Sequence, residues 1–106
     1  MENPKRNYFM YVLLCEDHTL YTGYTTDVQK RFQVHQAGKG AKYTRTHYPI
    51  KVLFQKQFAT KHDALSAEYF FKKLSRKQKL YLIHYPELFS IPGSEWLHKL
   101  SDFQPK

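Results

Sequence analysis

The fold is decided by residues 8–27, YFMYVLLCEDHTLYTGYTTD. Residues 8–14 are aromatic, β-branched or otherwise apolar without alternation, which is typical of a strand buried on both faces. The polar run of residues 16–19 predicts a turn, after which residues 20–24 form the hairpin partner of the first strand. Gly23 lies inside this second strand, where its missing side chain indicates that another group approaches the backbone.

Capping signals divide the rest of the chain into elements. Three signals, at Thr26, Thr60 and Ser75, place a hydroxyl residue three positions before an acidic or amide residue. The predicted elements are a helix over residues 26–37, a loop over 36–49, a strand over 51–58 with Val52, Phe54 and Phe58 inward, and helices over 60–74 and 75–85. The last helix ends before Pro86, since the residue that precedes a proline disfavours the helical conformation.

This order of elements predicts an α/β (α+β) fold, in which a small, mainly antiparallel sheet of three strands is flanked by helices. We expect one folded domain over residues 8–85, preceded by a polar, disordered start at residues 1–7. Residues 86–106 form a C-terminal extension. Its residues 94–100 predict a short helix packed on the domain, with the inward residues Trp96, Leu97 and Leu100.

Length and composition exclude several classes of protein. A chain of 106 residues and 12.8 kDa has room for one domain, and 17% aromatic residues exclude disorder along the whole length. The single cysteine, Cys15, excludes an intrachain disulfide, and no apolar run approaches the roughly 20 residues of a membrane span. We therefore expect a soluble, cytoplasmic monomer that has no membrane contact.

The basic charge of the chain is concentrated in its middle. The whole chain has a net charge of +8, whereas residues 30–79 alone carry thirteen bases and two acids, a net charge of +11. A solubilising surface is one interpretation of such an excess. Because it extends over several predicted elements, we favour a polyanionic partner, namely nucleic acid.

Glu68 falls inside the apolar stripe of its predicted helix, between Ala64 and Leu65. A carboxylate that faces a core is costly unless it has a partner. Three kinds of partner fit this pattern: a lysine in a buried salt bridge, a metal ion, or a hydrogen-bond network. In the second case one carboxylate holds the ion, and water and substrate phosphate oxygens complete its ligands, as is usual for Mg²⁺.

A second group of polar side chains gathers on one face of the predicted sheet. Tyr11 and Tyr21 lie on adjacent strands, while Arg31 and His35 project from the following helix one turn apart. Each of them has an ordinary explanation as a core or rim residue. Together they place two phenols, a guanidinium and an imidazole around one site.

The order and spacing of these residues resemble the GIY-YIG nuclease superfamily over about residues 8–79. The first motif survives as Phe9-Met10-Tyr11, without its Gly, and the second reads Tyr21-Thr22-Gly23, ten residues after Tyr11. Three further positions match the family's helix Arg, the His or Tyr one turn later, and its metal-binding Glu: they are Arg31, His35 and Glu68.

Two further runs, LYTGYTTD at residues 20–27 and GKGAK at residues 38–42, are most similar to the small stand-alone bacterial branch of the superfamily, whose members are largely of uncertain function. The superfamily also includes the incision domain of a bacterial excision-repair subunit, which makes DNA repair an expected setting. Many of its nucleases carry an Asn downstream of the Glu, whereas residues 80–83 of this chain are apolar. Substrate positioning by that Asn is therefore absent or replaced.

The resemblance implies a Mg²⁺-dependent endonuclease that hydrolyses phosphodiester bonds in DNA, or in nucleic acid generally, by direct attack of water. In such an enzyme Glu68 binds a single metal ion and Arg31 stabilises the charge of the transition state. Tyr21 or Tyr11 takes the proton from the water, and His35 orients or activates that phenol. The basic surroundings would favour the phenolate.

The residues expected to contact phosphates are Lys39, Lys42, Thr44, Arg45 and Lys72. A rival interpretation is a non-catalytic nucleic-acid-binding module on the same scaffold, which the missing Asn favours. The retained tyrosines, arginine and glutamate argue against it, because binding alone gives no reason to keep a carboxylate among bases. A third interpretation is an adaptor whose tail, residues 86–103, docks a protein partner that supplies targeting.

Overall fold

The apolar run near the N-terminus is the central strand of the sheet. In the computed structural model, which describes residues 7–100, β1 (Tyr8–Cys15) pairs antiparallel with β2 (Leu20–Thr25) along one edge and with β3 (Pro49–Phe58) along the other. Both faces of β1 are covered as well, which accounts for its lack of alternation. The predicted α+β fold around a three-stranded antiparallel sheet is confirmed.

Four of the helices begin within two residues of their predicted starts. The described residues contain α1 (Val28–Gln36), α2 (Lys42–Thr46), α3 (Lys61–Lys72), α4 (Arg76–His84) and α5 (Trp96–Leu100), with 3₁₀ turns at Pro86–Ser90 and Gly93–Glu95. Thr60 caps α3, and Ser75 caps α4 in a capping box, as predicted. At α1 the cap is Asp27 rather than Thr26, because the Asp27 carboxylate accepts the hydrogen bond from the Lys30 N–H.

Side chains alternate between the two faces of β1 and so enter two separate hydrophobic clusters. Met10 and Val12 lie in the larger cluster, which α3, α4 and the C-terminal segment complete. Tyr11 and Leu13 lie in the smaller cluster on the opposite face, where they pack with Val28 of α1. β1 therefore contributes side chains to both hydrophobic clusters, one on each face of the sheet.

Val52, Phe54 and Phe58 all pack inward, as predicted, but they do so on both faces of the sheet. The register of β3 shifts opposite β1, so that Phe54 pairs with Val12 but Val52 pairs with Leu13. One extra residue lies between them and forms a β-bulge. Because of this bulge, Val52 and Phe54, which are two positions apart, face opposite sides of the sheet. Phe54 and Phe58 accordingly pack on the larger cluster and Val52 on the smaller one.

The segment predicted as a loop over residues 36–49 contains the short helix α2. Its N-cap residue, Ala41, makes no side-chain capping bond, so the local signal that marks the other helices is missing here. A break at Gly38, with φ of +76°, separates α1 from this segment. The turn lets α2 fold back against α1.

The C-terminal segment packs on the larger cluster through Phe89, Trp96 and Leu100, all of which are buried. The predicted inward side chain of Leu97, the predicted disorder of residues 1–6 and the end of the chain after residue 100 lie outside the described part. Within that part, no helix combines the length and the apolar character that crossing a membrane requires.

Candidate active site

Tyr11 occupies the middle of β1, and its ring lies over the neighbouring strand at Gly23. The two residues are paired across the β1–β2 ladder, and a Cβ atom at Gly23 would come within 2.5 Å of the Tyr11 hydroxyl oxygen. Only glycine leaves room for the phenol there. The group predicted to approach the backbone of Gly23 is therefore Tyr11, and the glycine of the second motif is a steric requirement of the tyrosine in the first.

His35 projects from the last turn of α1 into the interior and is bonded at both ring nitrogens. Its Nε2 atom lies 2.8 Å from the Tyr11 hydroxyl, and its Nδ1 atom lies 2.8 Å from the Thr44 hydroxyl of α2. The imidazole is completely buried. Because a buried imidazole with both nitrogens engaged has a fixed orientation, His35 joins α1, α2 and β1 rigidly.

Burial decides the charge states of Tyr11 and His35. Tyr11 is 1% exposed, and loss of hydration raises the pKa of its phenol far above the usual range, with Tyr21 adding to the rise. Loss of hydration, and secondly the positive charge of Arg31, lower the pKa of His35 to about 4. Both side chains are neutral at pH 7. The expected phenolate therefore does not form at Tyr11, because desolvation outweighs the nearby cation.

Tyr21 lies closer to solvent than Tyr11 and contacts the same imidazole. Its ring centroid is 5.0 Å from that of His35 and 6.3 Å from that of Tyr11. Its side chain is only partly buried, whereas Tyr11 is enclosed. The two phenols that the sequence brings to one site therefore differ in access: Tyr21 can meet a water molecule or a substrate, while the Tyr11 hydroxyl is committed to His35.

Arg31 and Glu68 complete the group, and the charge of each acts on the Tyr11 phenol. The Arg31 guanidinium lies beside the Tyr11 hydroxyl and lowers the pKa of that phenol, while the Glu68 carboxylate raises it; both effects are smaller than that of burial. A charge shifts the pKa of the phenol only when it lies within several ångströms, so both charged groups are close to Tyr11. The structure thus brings all five predicted residues, from β1, β2, α1 and α3, into one neighbourhood.

Glu68 forms an ion pair with Lys72, one helical turn further along α3, with 2.8 Å between Oε2 and Nζ. The Glu68 side chain is 17% exposed and that of Lys72 is 51% exposed. The salt bridge between Glu68 and a lysine, which was one interpretation of the sequence, is present, but only its carboxylate is sheltered from solvent. Lys72 remains hydrated without Glu68, so the lysine does not depend on the pair.

The apolar stripe around Glu68 is narrower than predicted. Ala64, Ala67 and Phe71 are buried, whereas Leu65 is exposed. Glu68 therefore lies at the border of the stripe, where the helix turns from the core toward solvent. This position gives the carboxylate a sheltered side and an accessible side.

Glu68 is the acidic side chain of the site that can hold a metal ion. Among residues 7–100 there is no group of three or more His, Cys, Asp or Glu side chains that could bind one. A single sheltered but accessible carboxylate suits Mg²⁺, which keeps most of its water and takes phosphate oxygens as further ligands. The donors present fit an ion that binds together with a phosphodiester substrate.

The predicted phosphate contacts separate into surface cations and one buried residue. The exposed cations on α2 and on the segment before it are Lys39, Lys42 and Arg45. Lys72 of α3 is half exposed. Thr44 is only 2% exposed, because its side chain faces inward toward His35. Its hydroxyl is turned away from any phosphate at the surface.

Sequence reasoning missed how residues 38–48 surround His35. Besides the Thr44 bond, a Cβ atom at Gly40 would overlap the imidazole, so this glycine leaves the space that the ring fills. No periodicity or motif spacing marks these contacts, because they arise only when α2 folds back on α1. A second glycine soon after the helix-ending Gly38 was the one available signal.

An aromatic stack extends from Tyr21 away from His35. The Tyr43 ring of α2 stacks with Tyr21 at 5.9 Å between centroids and with His47 at 4.0 Å. Nδ1 of His47 in turn lies 2.5 Å from a carboxylate oxygen of Asp17 in the β1–β2 turn. The Tyr21 ring is thereby held from two directions, by His35 and by Tyr43.

Fold and site together define a small α+β domain that gathers a neutral tyrosine–histidine pair, a second and accessible tyrosine, an arginine and one carboxylate within a strongly basic chain. Residues 7–81 match the family described as "GIY-YIG catalytic domain". The chain therefore belongs to the GIY-YIG family.

Relatives with a similar sequence share the name UPF0213. The UPF0213 protein YsiG of Lactococcus lactis subsp. lactis (strain IL1403) is 58% identical over 77 residues, which are 72% of this chain and 74% of the relative. The UPF0213 protein YazA of Bacillus subtilis (strain 168) is 51% identical over 73 residues, which are 69% of this chain and 74% of the relative. These names state no activity.

Two solved structures are similar to this chain. The solution NMR structure of the UPF0213 protein BH0048 from Bacillus halodurans is 41% identical, with a TM-score of 0.50, covering 80% of this chain and 94% of that one. The solution NMR structure of the protein EF2693 from E. faecalis is 42% identical, with a TM-score of 0.54, covering 82% and 93%. The fold is therefore shared with these two proteins.

Proposed function

We propose that the protein is a Mg²⁺-dependent endonuclease that hydrolyses phosphodiester bonds of DNA by direct attack of water. The observation that carries this proposal is the position of Glu68: a carboxylate sheltered on α3, within electrostatic reach of the Tyr11 phenol that Arg31 also influences, in a chain whose middle has a net charge of +11. A surface that only binds nucleic acid gains nothing from an acid beside its phosphate path. A site that must hold a divalent ion requires one.

Tyr21 is the residue proposed to take the proton from the attacking water. Burial keeps Tyr11 protonated and bonded to His35, so the role of base falls to the accessible phenol. Tyr21 first gives its own proton to solvent. As the water oxygen bonds to phosphorus, the proton of that water passes to the resulting Tyr21 oxyanion, the bond from phosphorus to the leaving oxygen breaks, and that oxygen is protonated by solvent. His35 and Tyr43 hold the Tyr21 ring in place from two sides.

Arg31 and Glu68 are proposed to stabilise the negative charge that develops on the phosphate and on the leaving oxygen during the reaction. The Arg31 guanidinium donates hydrogen bonds to the phosphate oxygens, whose charge rises in the transition state. Glu68 would hold Mg²⁺ together with water and the substrate phosphate, and the bound ion would neutralise charge on the leaving oxygen. Lys72 can release Glu68 for this purpose and turn to a phosphate, because it is half exposed.

Surface cations on and before α2 are proposed to bind the nucleic-acid backbone without reading sequence. These residues are Lys39, Lys42 and Arg45, all exposed. Contacts from lysine and arginine to phosphates carry no sequence information by themselves. We therefore expect the structure of the nucleic acid, rather than its sequence, to decide which substrates are cleaved.

A panel of DNA flaps, junctions, single strands and RNAs, incubated with and without Mg²⁺, tests the proposal. Cleavage of at least one substrate should require Mg²⁺ and should be lost in Glu68→Gln, which keeps the size of the side chain and removes its charge. Asp63→Asn is the matched control. Asp63 is exposed on the same helix, and its substitution makes the same change of charge. Cleavage that persists in Glu68→Gln would contradict the assigned role.

The second candidate function is a non-catalytic nucleic-acid-binding module. Leu82 favours it, because this residue, in the segment where many family nucleases carry their Asn, is fully buried in the larger cluster and supplies no side-chain amide. If every substrate of the panel binds and none is cut at any Mg²⁺ concentration, this function replaces the first.

A further inference from the structure

Thr44 is a buried polar residue whose hydroxyl has two partners. Its oxygen lies 2.8 Å from His35 Nδ1 and 2.9 Å from the carbonyl oxygen of Ala41. A hydroxyl has one proton and a carbonyl oxygen can only accept, so Thr44 donates to Ala41. The Thr44 oxygen is then an acceptor toward His35, which places the imidazole hydrogen on Nδ1.

The position of that hydrogen decides the role of Tyr11. A neutral imidazole protonated on Nδ1 has only a lone pair at Nε2. The Tyr11 hydroxyl, 2.8 Å from Nε2, therefore donates its proton to His35. Its oxygen is left with lone pairs alone, which suit the neighbouring Arg31 guanidinium, a group that can only donate.

The opposite tautomer is a poorer arrangement of the same atoms. It would let Nδ1 accept the hydrogen bond from the Ala41 N–H, although at 3.4 Å this bond is long and therefore weak. The Thr44 hydroxyl could then donate to either Nδ1 or the Ala41 carbonyl, and that carbonyl accepts the Thr44 N–H in both cases. Tyr11 would have to accept from Nε2 and direct its own proton toward Arg31, which also carries only protons.

We propose that Thr44 is a positioning residue of the active site: by holding the His35 hydrogen on Nδ1, it makes Tyr11 an acceptor for Arg31 and so orients the guanidinium toward the scissile phosphate. The chain of donors runs in one direction, from Arg31 through Tyr11, His35 and Thr44 to the Ala41 carbonyl. The orientation toward a phosphate rests on the proposed function, whereas the chain of hydrogen bonds does not.

The same residue anchors α2, which carries two of the cations proposed to bind phosphates. Lys42 and Arg45 lie on the exposed side of α2 while Thr44 lies on its buried side. Gly40 allows the close approach, because any side chain there would overlap His35. The segment therefore packs around the imidazole, which contacts both the binding surface and the tyrosine site.

Two substitutions and a control separate the polar role of Thr44 from its packing. Thr44→Val keeps the shape and removes the acceptor, and Thr44→Ser keeps the hydroxyl and removes a methyl group. Thr46→Val is the matched control, because the Thr46 hydroxyl on the same helix bonds the Tyr43 carbonyl and is exposed. Thermal melts define conditions under which each variant is folded.

Proton–nitrogen correlation spectra of the imidazole rings give the first measurement, with His35→Gln used to assign the His35 signals. We expect hydrogen on Nδ1 in the wild type, Thr44→Ser and Thr46→Val, and on Nε2 in Thr44→Val. Hydrogen on Nε2 in the wild type, or on Nδ1 in folded Thr44→Val, would overturn the inference. This measurement needs no substrate, so it remains decisive if the panel of nucleic acids is not cleaved and the proposed function fails.

Single-turnover cleavage gives the second measurement. Thr44→Val should lower the rate constant by up to about tenfold, no more than Tyr11→Phe does, with the dissociation constant for nucleic acid nearly unchanged. Thr44→Ser should restore the rate to within about threefold. In a Tyr11→Phe background Thr44→Val should add no further loss, because it acts through Tyr11. An additive loss, or no recovery in Thr44→Ser, would contradict the positioning role.

Discussion

Tyr11 and Tyr21 have different roles because one is enclosed by its neighbours and the other is not. Tyr21→Phe should lower the single-turnover rate by about 10²-fold or more without weakening DNA binding, since it removes the proposed base. Tyr11→Phe should lower the rate less, by about tenfold, and should also destabilise the fold by about 1–3 kcal/mol, because a buried His35 nitrogen loses its donor. Cleavage kinetics and urea unfolding of both variants provide the comparison.

Equal losses of rate in the two tyrosine variants would contradict this division of roles. A Tyr11→Phe variant that unfolds at the wild-type urea concentration would show that the Tyr11–His35 bond does not stabilise the interior. Tyr24→Phe is a suitable control, because it removes a hydroxyl from a partly buried tyrosine of the same strand β2.

His35 makes the stability of the protein depend on pH. Burial, and secondly Arg31, lower its pKa from 6.5 to about 4. His35 therefore takes up a proton near pH 6.5 in the unfolded chain but only near pH 4 in the folded chain. Its contribution to the free energy of unfolding is complete above pH 6.5 and is lost as the pH falls toward 4. At about 1.4 kcal/mol per pKa unit, this loss is about 3 kcal/mol.

Urea unfolding at a series of pH values between 4 and 7 checks the pH dependence. Stability should fall toward the acidic end in the wild type, and the fall should be smaller in His35→Gln, which cannot take up the proton. Asp17, whose pKa the Thr19 hydroxyl and His47 lower to about 2, loses its interactions only at still lower pH. An unchanged slope in His35→Gln would assign the acid sensitivity to other groups.

At the scale of elements, α2 is the proposed electrostatic contact with nucleic acid. Replacing Lys42 and Arg45 together by Ala should reduce the slope of log K against log salt by roughly two, since each phosphate contact contributes about 0.9. Replacing Lys61 and Lys77, exposed cations on α3 and α4, makes the same change of net charge and serves as the control. Equal changes of slope in both double variants would favour a diffuse effect of net charge.

The stability of α3 should not depend on the charge of Glu68. Its partner Lys72 is 51% exposed, so the lysine remains hydrated when the carboxylate is removed. Glu68→Gln should therefore change the free energy of unfolding by no more than about 0.5 kcal/mol, the usual value of such a pair on a helix. A loss of about 3 kcal/mol, measured by urea unfolding, would instead identify a structural ion pair.

Elements specified by neighbouring residues were predictable from the sequence, and those specified by distant contacts were not. The hairpin and the starts of α3 and α4 follow from turn and capping residues, which act over three or four positions. The bulge in β3 and the helix α2 depend on partners elsewhere in the chain, and neither has a local signal. The Thr44–His35 bond is of the second kind, which is why Thr44 was predicted to contact a phosphate.

At the scale of the whole molecule, the hydrophobic interior extends past the family domain. Residues 7–81 match the family, yet Phe89, Trp96 and Leu100 lie in the larger cluster with Phe71. Trp96→Ala should therefore cost about 3–5 kcal/mol of stability, the range found for large buried aromatic residues. Tyr69→Ala is the control, because Tyr69 is exposed and should cost much less. Similar losses for both, in urea unfolding, would contradict this account of the interior.

The position of β1 between two clusters has a consequence for how the molecule opens. Met10 and Val12 complete one cluster and Tyr11 and Leu13 the other, so neither cluster can assemble or persist while β1 is detached. The two layers should accordingly unfold in one cooperative transition rather than as separate units. In native-state hydrogen exchange, the amides of β1 should be the slowest to exchange with solvent, with protection that approaches the global free energy of unfolding, while those of α2 should exchange through smaller, local openings.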